Sequence, residues 1–272
     1  IIKKKVRNVY YSVKDPDKRS HNKCKSILKK KNIRVNSGIL SSEVSNFYKS
    51  YLNYKSNNLP FVTAKLAISK DFFSGHRNKK WITNKYSRAK VHLMRSRHDC
   101  ILSSSKTVIS DNPSFNCRIK GLENKSPTRI ILDKNLELPF ASKIIKTVKK
   151  YPLIVFYNKN KMLKINKLKR LKVKLIRLKL NNKKEFDLHD VLKQIKNMGF
   201  SRIFLESGIN LMTIFLKKKL INNFELFISS KKIGKAGFNN FKKSMTVYLK
   251  NKKNELNCVN LFGDKFLSYK IK

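Results

Sequence analysis

From Leu59 onward, short apolar runs rich in β-branched residues alternate with stretches of helical periodicity, and that alternation leaves few folds open. Residues 60–69, 100–104, 128–133, 152–157, 202–206 and 225–229 have strand length and composition. Helical patterns cover 83–97, opened by Thr83 or Asn84, then 189–198, closed by Gly199, and 210–220, which follows the Ser207-Gly208 turn. Strands separated by helices predict an α/β fold with a mostly parallel sheet flanked by helices. Ligands of such sheets bind at the carboxyl ends of the strands. Residues 172–180 alternate imperfectly against lysines and predict an edge strand, where lysine discourages pairing with other chains. Residues 244–249 and 266–271 are read as two more strands, forming a terminal hairpin.

The first 58 residues have a different organisation. A strand at 9–13, a helix at 18–31, a strand at 33–35 and a helix at 42–54 make a small β-α-β piece with a helix appended. It is too small to bury a good core by itself, so it is expected to be the tail of a larger domain. The polar residues 55–58 are read as a linker, which divides the chain into 1–54, 55–58 and 59–272. The chain opens Ile1-Ile2 without an initiator Met, which suggests a fragment.

Net charge is +48, from 64 Lys and Arg against 16 Asp and Glu. Such an excess suits a nucleic-acid-binding protein. The lysines, however, spread over loops and helices alike, and aromatics are not interleaved with them as a stacking platform requires. Lys, Asn and Ile, whose codons are AT-rich, are all abundant, so the charge is read as usage bias, with no specific nucleic-acid partner. Cys24, Cys100, Cys117 and Cys258 show no C-x-x-C spacing and do not cluster with the His residues, so no metal site is expected. Scattered cysteines, no secretory signal and no long apolar run fit a cytoplasmic protein without a membrane span.

Three features could carry chemistry. Lys65 interrupts an apolar strand. Alternation puts Val62, Ala64, Leu66 and Ile68 on one face and Thr63, Lys65, Ala67 and Ser69 on the other. An ammonium on this small, polar face suits a ligand; a lysine reaching to water from an edge strand would give the same pattern. Glu206-Ser207-Gly208 stands at a strand-to-helix turn, where backbone approaches a phosphate closely, or is a simple tight turn. In 110–118, Asp111-Asn112-Pro113 is turn chemistry, and Arg118 is either a phosphate fork or one more solvated cation. The five His residues form no recognisable cluster in the sequence.

Taken in order, Leu59-Pro60-Phe61-Val62-Thr63-Ala64-Lys65 through Asp71, Lys80-Trp81-Ile82-Thr83, Ser87-Arg88-Ala89, Leu93-Met94-Arg95, Ile101 through Arg118, Arg129-Ile130-Ile131-Leu132-Asp133 and Leu205-Glu206-Ser207-Gly208 resemble the reductase domain of bifunctional riboflavin-biosynthesis enzymes. The resemblance covers 59–272. Residues 1–54, with Ser12-Val13-Lys14-Asp15-Pro16-Asp17, resemble the end of the same family's deaminase domain, without its zinc motifs.

The resemblance implies a dihydrofolate-reductase-like fold. It implies NADPH-dependent reduction of 5-amino-6-(5-phosphoribosylamino)uracil at ribose C1′, a small-molecule phosphoribosylaminopyrimidine as substrate, and a homodimer. It assigns Lys65 and Glu206 to the reaction. Ala67, Trp81, Thr107, Asp111 and the turn Gly208-Ile209-Asn210-Leu211 go to the cofactor; Lys79, Arg95, Phe115, Arg118 and Glu206 go to the substrate. Three positions depart from the family's pattern: Phe72 where Gly is usual, Lys79 where a Ser contacts the substrate, and Lys134 where a Ser contacts the cofactor. Alternatives to an active reductase are a degenerate copy that binds without turnover and a basic nucleic-acid-binding protein.

Overall fold

A computed structural model of the chain describes all residues except 18, 20–22, 57, 79–80 and 257–258, and the side chain of Ser244. Strands β3 (Phe61–Ile68), β5 (Cys100–Ser104), β6 (Thr128–Leu132), β7 (Leu153–Tyr157), β8 (Lys174–Arg177), β9 (Arg202–Leu205) and β10 (Asn223–Ile228) run parallel. Two antiparallel strands, β12 (Asn254–Leu256) and β13 (Lys265–Lys270), extend one side. The order across this nine-stranded sheet is β12-β13-β10-β3-β9-β5-β6-β7-β8. The lysine-rich strand β8 is an edge, as its composition predicts, and β3 is an interior strand.

Helices cover both faces, as the near-continuous apolar character of the parallel strands demands. Val62, Ala64, Leu66 and Ile68 pack into one core with α7 (Leu188–Asn197), α8 (Ile209–Lys217) and α9 (Phe241–Leu249). The opposite core joins Ile101, Ile131, Val155 and Phe227 to Val91 and Met94 of α3 (Lys85–Ser96). It also takes in Val108 of α4 (Ser105–Asp111), Ile144 of α5 (Lys143–Lys146) and Ile165 of α6 (Met162–Arg170).

Helix α9 corrects the strand expected at 244–249. Phe241, Met245 and Leu249 recur every four residues and all three are buried, and the Asn240 side chain accepts from the Lys243 N–H. A capped helix therefore buries this face, and β13 forms its hairpin with β12 instead.

The stretch between β3 and α3 contains strand β4 (Phe73–His76), paired with β11 (Gly237–Asn240) in a separate ribbon that sequence periodicity does not reveal. A Cβ on Gly75 would lie 2.3 Å from the Phe238 ring, and one on Gly237 would lie 2.4 Å from the Phe73 ring. Each glycine therefore leaves the space that an aromatic ring of the other strand occupies. Phe72 turns the chain from β3 into β4 at φ 71, left-handed backbone that costs a non-glycine residue roughly 1–2 kcal/mol. Here the family's usual Gly would be the relaxed choice.

The N-terminal residues pair β1 (Asn8–Tyr11) parallel to β2 (Arg34–Ser37), with α1 (Lys23–Lys29) between them and α2 (Ser41–Ser56) after them. Helix α2 runs on through Lys55 and Ser56, into the stretch read as a linker. Asn53 Nδ2 donates to the Leu59 carbonyl and Lys196 Nζ to that of Tyr54, tying α2 to the residues just before β3 and to α7. Among the described residues, no helix is long and apolar enough to cross a membrane.

Glu225 stands opposite Lys65 in the β10–β3 register. It is buried; Oε1 accepts from Ser268 Oγ at 3.0 Å, while Oε2 makes no hydrogen bond among the described residues. Burial pushes its pKa up from 4.5 to about 7. The unfolded carboxyl ionises first as pH rises, so this group costs no stability at pH 4 and a growing amount up to neutrality. Glu225→Gln should therefore leave urea stability at pH 4 unchanged and raise it by about 1–3 kcal/mol at pH 8. Equal effects at both pH values would remove the argument.

Candidate active site

The register brings the reactive side chains together. Ala64 of β3 and Leu102 of β5 both pair with Leu205 of β9. One residue further on, Lys65, Glu206 and Ser103 follow side by side on one sheet face. Because β3 is interior, Lys65 is not a lysine escaping from an edge. Its Nζ lies 5.9 Å above the Phe227 ring. Burial lowers its pKa, Glu206 opposes that, and Arg95 adds to it.

Glu206 is buried and held by a fork from Arg95, with Nε on Oε1 at 2.6 Å and a terminal nitrogen on Oε2 at 2.9 Å. Burial works against ionising Glu206, but Arg95, and then Lys65, outweigh it and hold its pKa below the ordinary value. Arg95 comes from α3, whose start is fixed by Asn84. The Asn84 side chain accepts from the N–H groups of Tyr86 and Ser87, and the Asn84 N–H and the Ser87 hydroxyl donate to buried Asp264.

The loop after α4 closes over this pair. Phe115, at φ 51 and buried, has its ring 5.9 Å from the Arg95 guanidinium. Arg95 also donates to the Asn116 carbonyl at 3.1 Å. Among the described residues, the Arg118 guanidinium has only a long 3.4 Å bond to Asn116 Oδ1 and no carboxylate. Burial, then Arg95 and Arg88, press its pKa down, so an anion here would be welcome. Of the two arginines assigned to the substrate, Arg118 has its charge unmatched among the described residues, whereas that of Arg95 is matched by Glu206.

On the other side of Glu206, the hydroxyls of Ser104, Thr107 and Ser207 lie 3.2–3.3 Å apart. Thr107 Oγ1 also accepts from the Gly208 N–H at 3.1 Å. Helix α8 starts at Gly208 with no side-chain cap, so its first N–H groups, from Ile209, Asn210 and Leu211, point outward without intrahelical partners. The Ile209 side chain is in the core, so only its backbone faces this place. Ala67 also faces the Lys65 side of the sheet. Trp81 is half-exposed, 5.0 Å from the Arg88 guanidinium. Asp111, at the end of α4, is exposed and accepts from Ser110 Oγ. The Lys134 ammonium donates to the Lys184 carbonyl. Lys79 lies outside the described residues. Among the described residues, no three His, Cys, Asp or Glu side chains group as metal ligands.

Two sets of participants went unrecognised in the sequence. Ser104 meets Thr107 locally as the N-cap of α4, and Ser207 joins the two only through the β5–β9 pairing. His92 meets the loop at Asn116, and the signal for it was present: Arg88, His92 and Arg95 share one helix face at i, i+4 and i+7.

Gly208 has φ −64, ordinary for any residue, and a Cβ there would have Thr107 Oγ1 at 3.9 Å as its nearest neighbour. Gly208→Ala should therefore fold with an unchanged Tm. If a ligand's phosphate sits against this backbone, the same change should weaken its binding on the order of tenfold or more. Unchanged affinity in a calorimetric titration with NADPH would show that no ligand approaches here.

The family model for the RibD C-terminal domain matches residues 60–259. The riboflavin biosynthesis protein RibD of Aquifex aeolicus is 29% identical over 264 residues, 93% of this chain and 71% of its own length. The 5-amino-6-(5-phosphoribosylamino)uracil reductase of Buchnera aphidicola is 30% identical over 166 residues, 57% of this chain and 77% of that protein. The crystal structure of a diaminohydroxyphosphoribosylaminopyrimidine deaminase/5-amino-6-(5-phosphoribosylamino)uracil reductase from Thermotoga maritima superposes with a TM-score of 0.81. It covers 99% of this chain and 73% of that one at 23% identity, a likeness of fold that includes residues 1–56. With the family model extending over strands β3 to β10 and over Lys65, Arg95, Arg118 and Glu206, the chain belongs to the RibD C-terminal domain family.

Proposed function

We propose that the chain is an NADPH-dependent reductase of riboflavin biosynthesis that converts 5-amino-6-(5-phosphoribosylamino)uracil to its ribityl form. The observation that carries this is the pairing of two unlike half-sites across Glu206. One is cationic, with Lys65, Arg95 and Arg118; the other is a bare helix start with a hydroxyl cluster, Ser104, Thr107 and Ser207. The first suits a phosphorylated sugar and the second a dinucleotide's phosphates.

The residues fit the cofactor. Gly208, Ile209, Asn210 and Leu211 would offer backbone N–H groups to its phosphates, Thr107 its hydroxyl, and Ala67 and Trp81 the surroundings of its ring. When bound, NADPH supplies the hydride that forms the new C–H bond at ribose C1′. As the C1′–O4′ bond opens, O4′ takes a proton and becomes a hydroxyl. Lys65 is the donor nearest this chemistry, and its lowered pKa makes the proton easier to give up. Arg118 receives the 5-phosphate. Glu206 accepts from substrate hydroxyls with the lone pairs that Arg95 leaves free. Residues 1–54 are the end of a deaminase-type domain in this reading, and take no part in the reduction.

The test is substrate-dependent loss of NADPH absorbance with the purified chain. Turnover is expected; a folded sample that binds NADPH and the ribotide without turnover would leave the degenerate-copy reading in its place.

A further inference from the structure

We propose that His92 is a positioning residue: its imidazole Nδ1 accepts from the Arg118 backbone and so presents the Arg118 and Arg95 side chains to the anionic end of the substrate. This rests on the function proposed above.

His92 is buried on α3, one turn before Arg95. Three groups converge on its Nδ1: the Arg118 N–H at 3.3 Å, the Asn116 carbonyl oxygen at 3.0 Å and a terminal Arg95 nitrogen at 3.5 Å. Arg118 N–H needs an acceptor, and Nδ1 offers one only when it carries no proton. In this tautomer no proton lies between Nδ1 and the Asn116 oxygen 3.0 Å away; the Arg95 terminal nitrogen, 3.1 Å from the oxygen and 3.5 Å from Nδ1, donates toward both and separates the two lone-pair atoms. The consistent assignment is therefore a neutral ring with its proton on Nε2. The surroundings agree: burial first, then the Arg95 and Arg118 cations, lower its pKa to about 4. A protonated ring would add a cation beside two guanidiniums and leave the Arg118 N–H without its acceptor.

The consequence is mechanical. Arg118 follows a left-handed Asn112 and a left-handed Phe115, and no helix or strand holds it. The Nδ1 bond, with the Cys117 N–H to Ser126 Oγ bond beside it, sets the direction of its backbone. An Arg whose backbone is fixed loses less freedom when its fork closes on an anion.

The experiment compares His92→Leu, which has no acceptor, with His92→Asn, whose Oδ1 can stand where Nδ1 stood. Ribose 5-phosphate binding is measured by calorimetry, and both Michaelis constants and kcat in the NADPH assay. His92→Leu should weaken ribose 5-phosphate binding and raise substrate KM on the order of tenfold, with NADPH KM unchanged. His92→Asn should restore most of that loss. A Leu variant that binds like wild type overturns the proposal. So does an Asn variant as weak as Leu at a wild-type Tm. A fall in kcat alone would make His92 a proton-transfer group instead, and equally overturn it. If the Leu variant does not fold, or wild type does not hold ribose 5-phosphate, the ring-nitrogen NMR signals of His92 decide. Nδ1 should be the unprotonated nitrogen at neutral pH; a protonated Nδ1 refutes the assignment. Absence of turnover in wild type would count against the proposed reaction, and leaves the NMR result standing by itself.

Discussion

Glu206→Gln is expected to destabilise the folded protein by about 3 kcal/mol at neutral pH, the low end of what removing one partner of a buried ion pair costs. Arg95 and Glu206 side chains are only 12% and 9% exposed, and their two hydrogen bonds are short. Gln keeps the shape and one acceptor oxygen but leaves the guanidinium buried without its counter-charge. Because the Glu206 pKa lies below its ordinary value, its contribution is present above the unfolded carboxyl's pKa. It fades as pH falls through the lower folded value, so the difference between wild type and variant should shrink in acid. Replacing both partners by apolar residues, Arg95→Met with Glu206→Leu, should cost less than either single change. Urea titrations at pH 7 and pH 4 provide the check; a variant within about 0.5 kcal/mol of wild type at pH 7 would mean that water reaches the pair.

Lys65→Met should reduce turnover by about two to four orders of magnitude, the range for loss of a positioned proton donor. Met matches the volume and suits an interior strand, so Tm and NADPH affinity should hold. The outcome separates a chemical role from a packing role: a packing role would move Tm and leave kcat, measured on the folded fraction, near wild type. A kcat within threefold of wild type would exclude Lys65 as the donor and turn attention to other groups on the Glu206 face.

Much of this site could be read from the chain because its positions are set by strand alternation and turn chemistry. The odd Lys65, the Glu206-Ser207-Gly208 turn and the Asn84 cap are local features, and local geometry fixed them. The β4–β11 ribbon was not legible, since its strands are short and its stability lies in two glycines matched to rings across the ribbon. Residues 244–249 were misread because Met245, Val247 and Leu249 alternate as a strand does. What decides for helix is Phe241, outside that window, together with a core face waiting for it. The division of labour between Arg95 and Arg118 was hidden for a different reason. Which of two arginines meets the carboxylate depends on how a loop with two left-handed residues crosses α3, and no sequence period encodes that.

The order of strands also has a consequence in time. The central strand β3 is made well before its neighbour β10; the Val62 N–H finds Asn222 across 160 residues. The N-cap of α3 waits longer still, since Asn84 meets Asp264 across 180. Contacts of such sequence separation are closed late and slowly. A ribosome-bound chain not yet extended through Asp264 would hold Arg95 on a helix whose start lacks its carboxylate partner, so the frame of α3 is finished only after the residues that follow β10 are made.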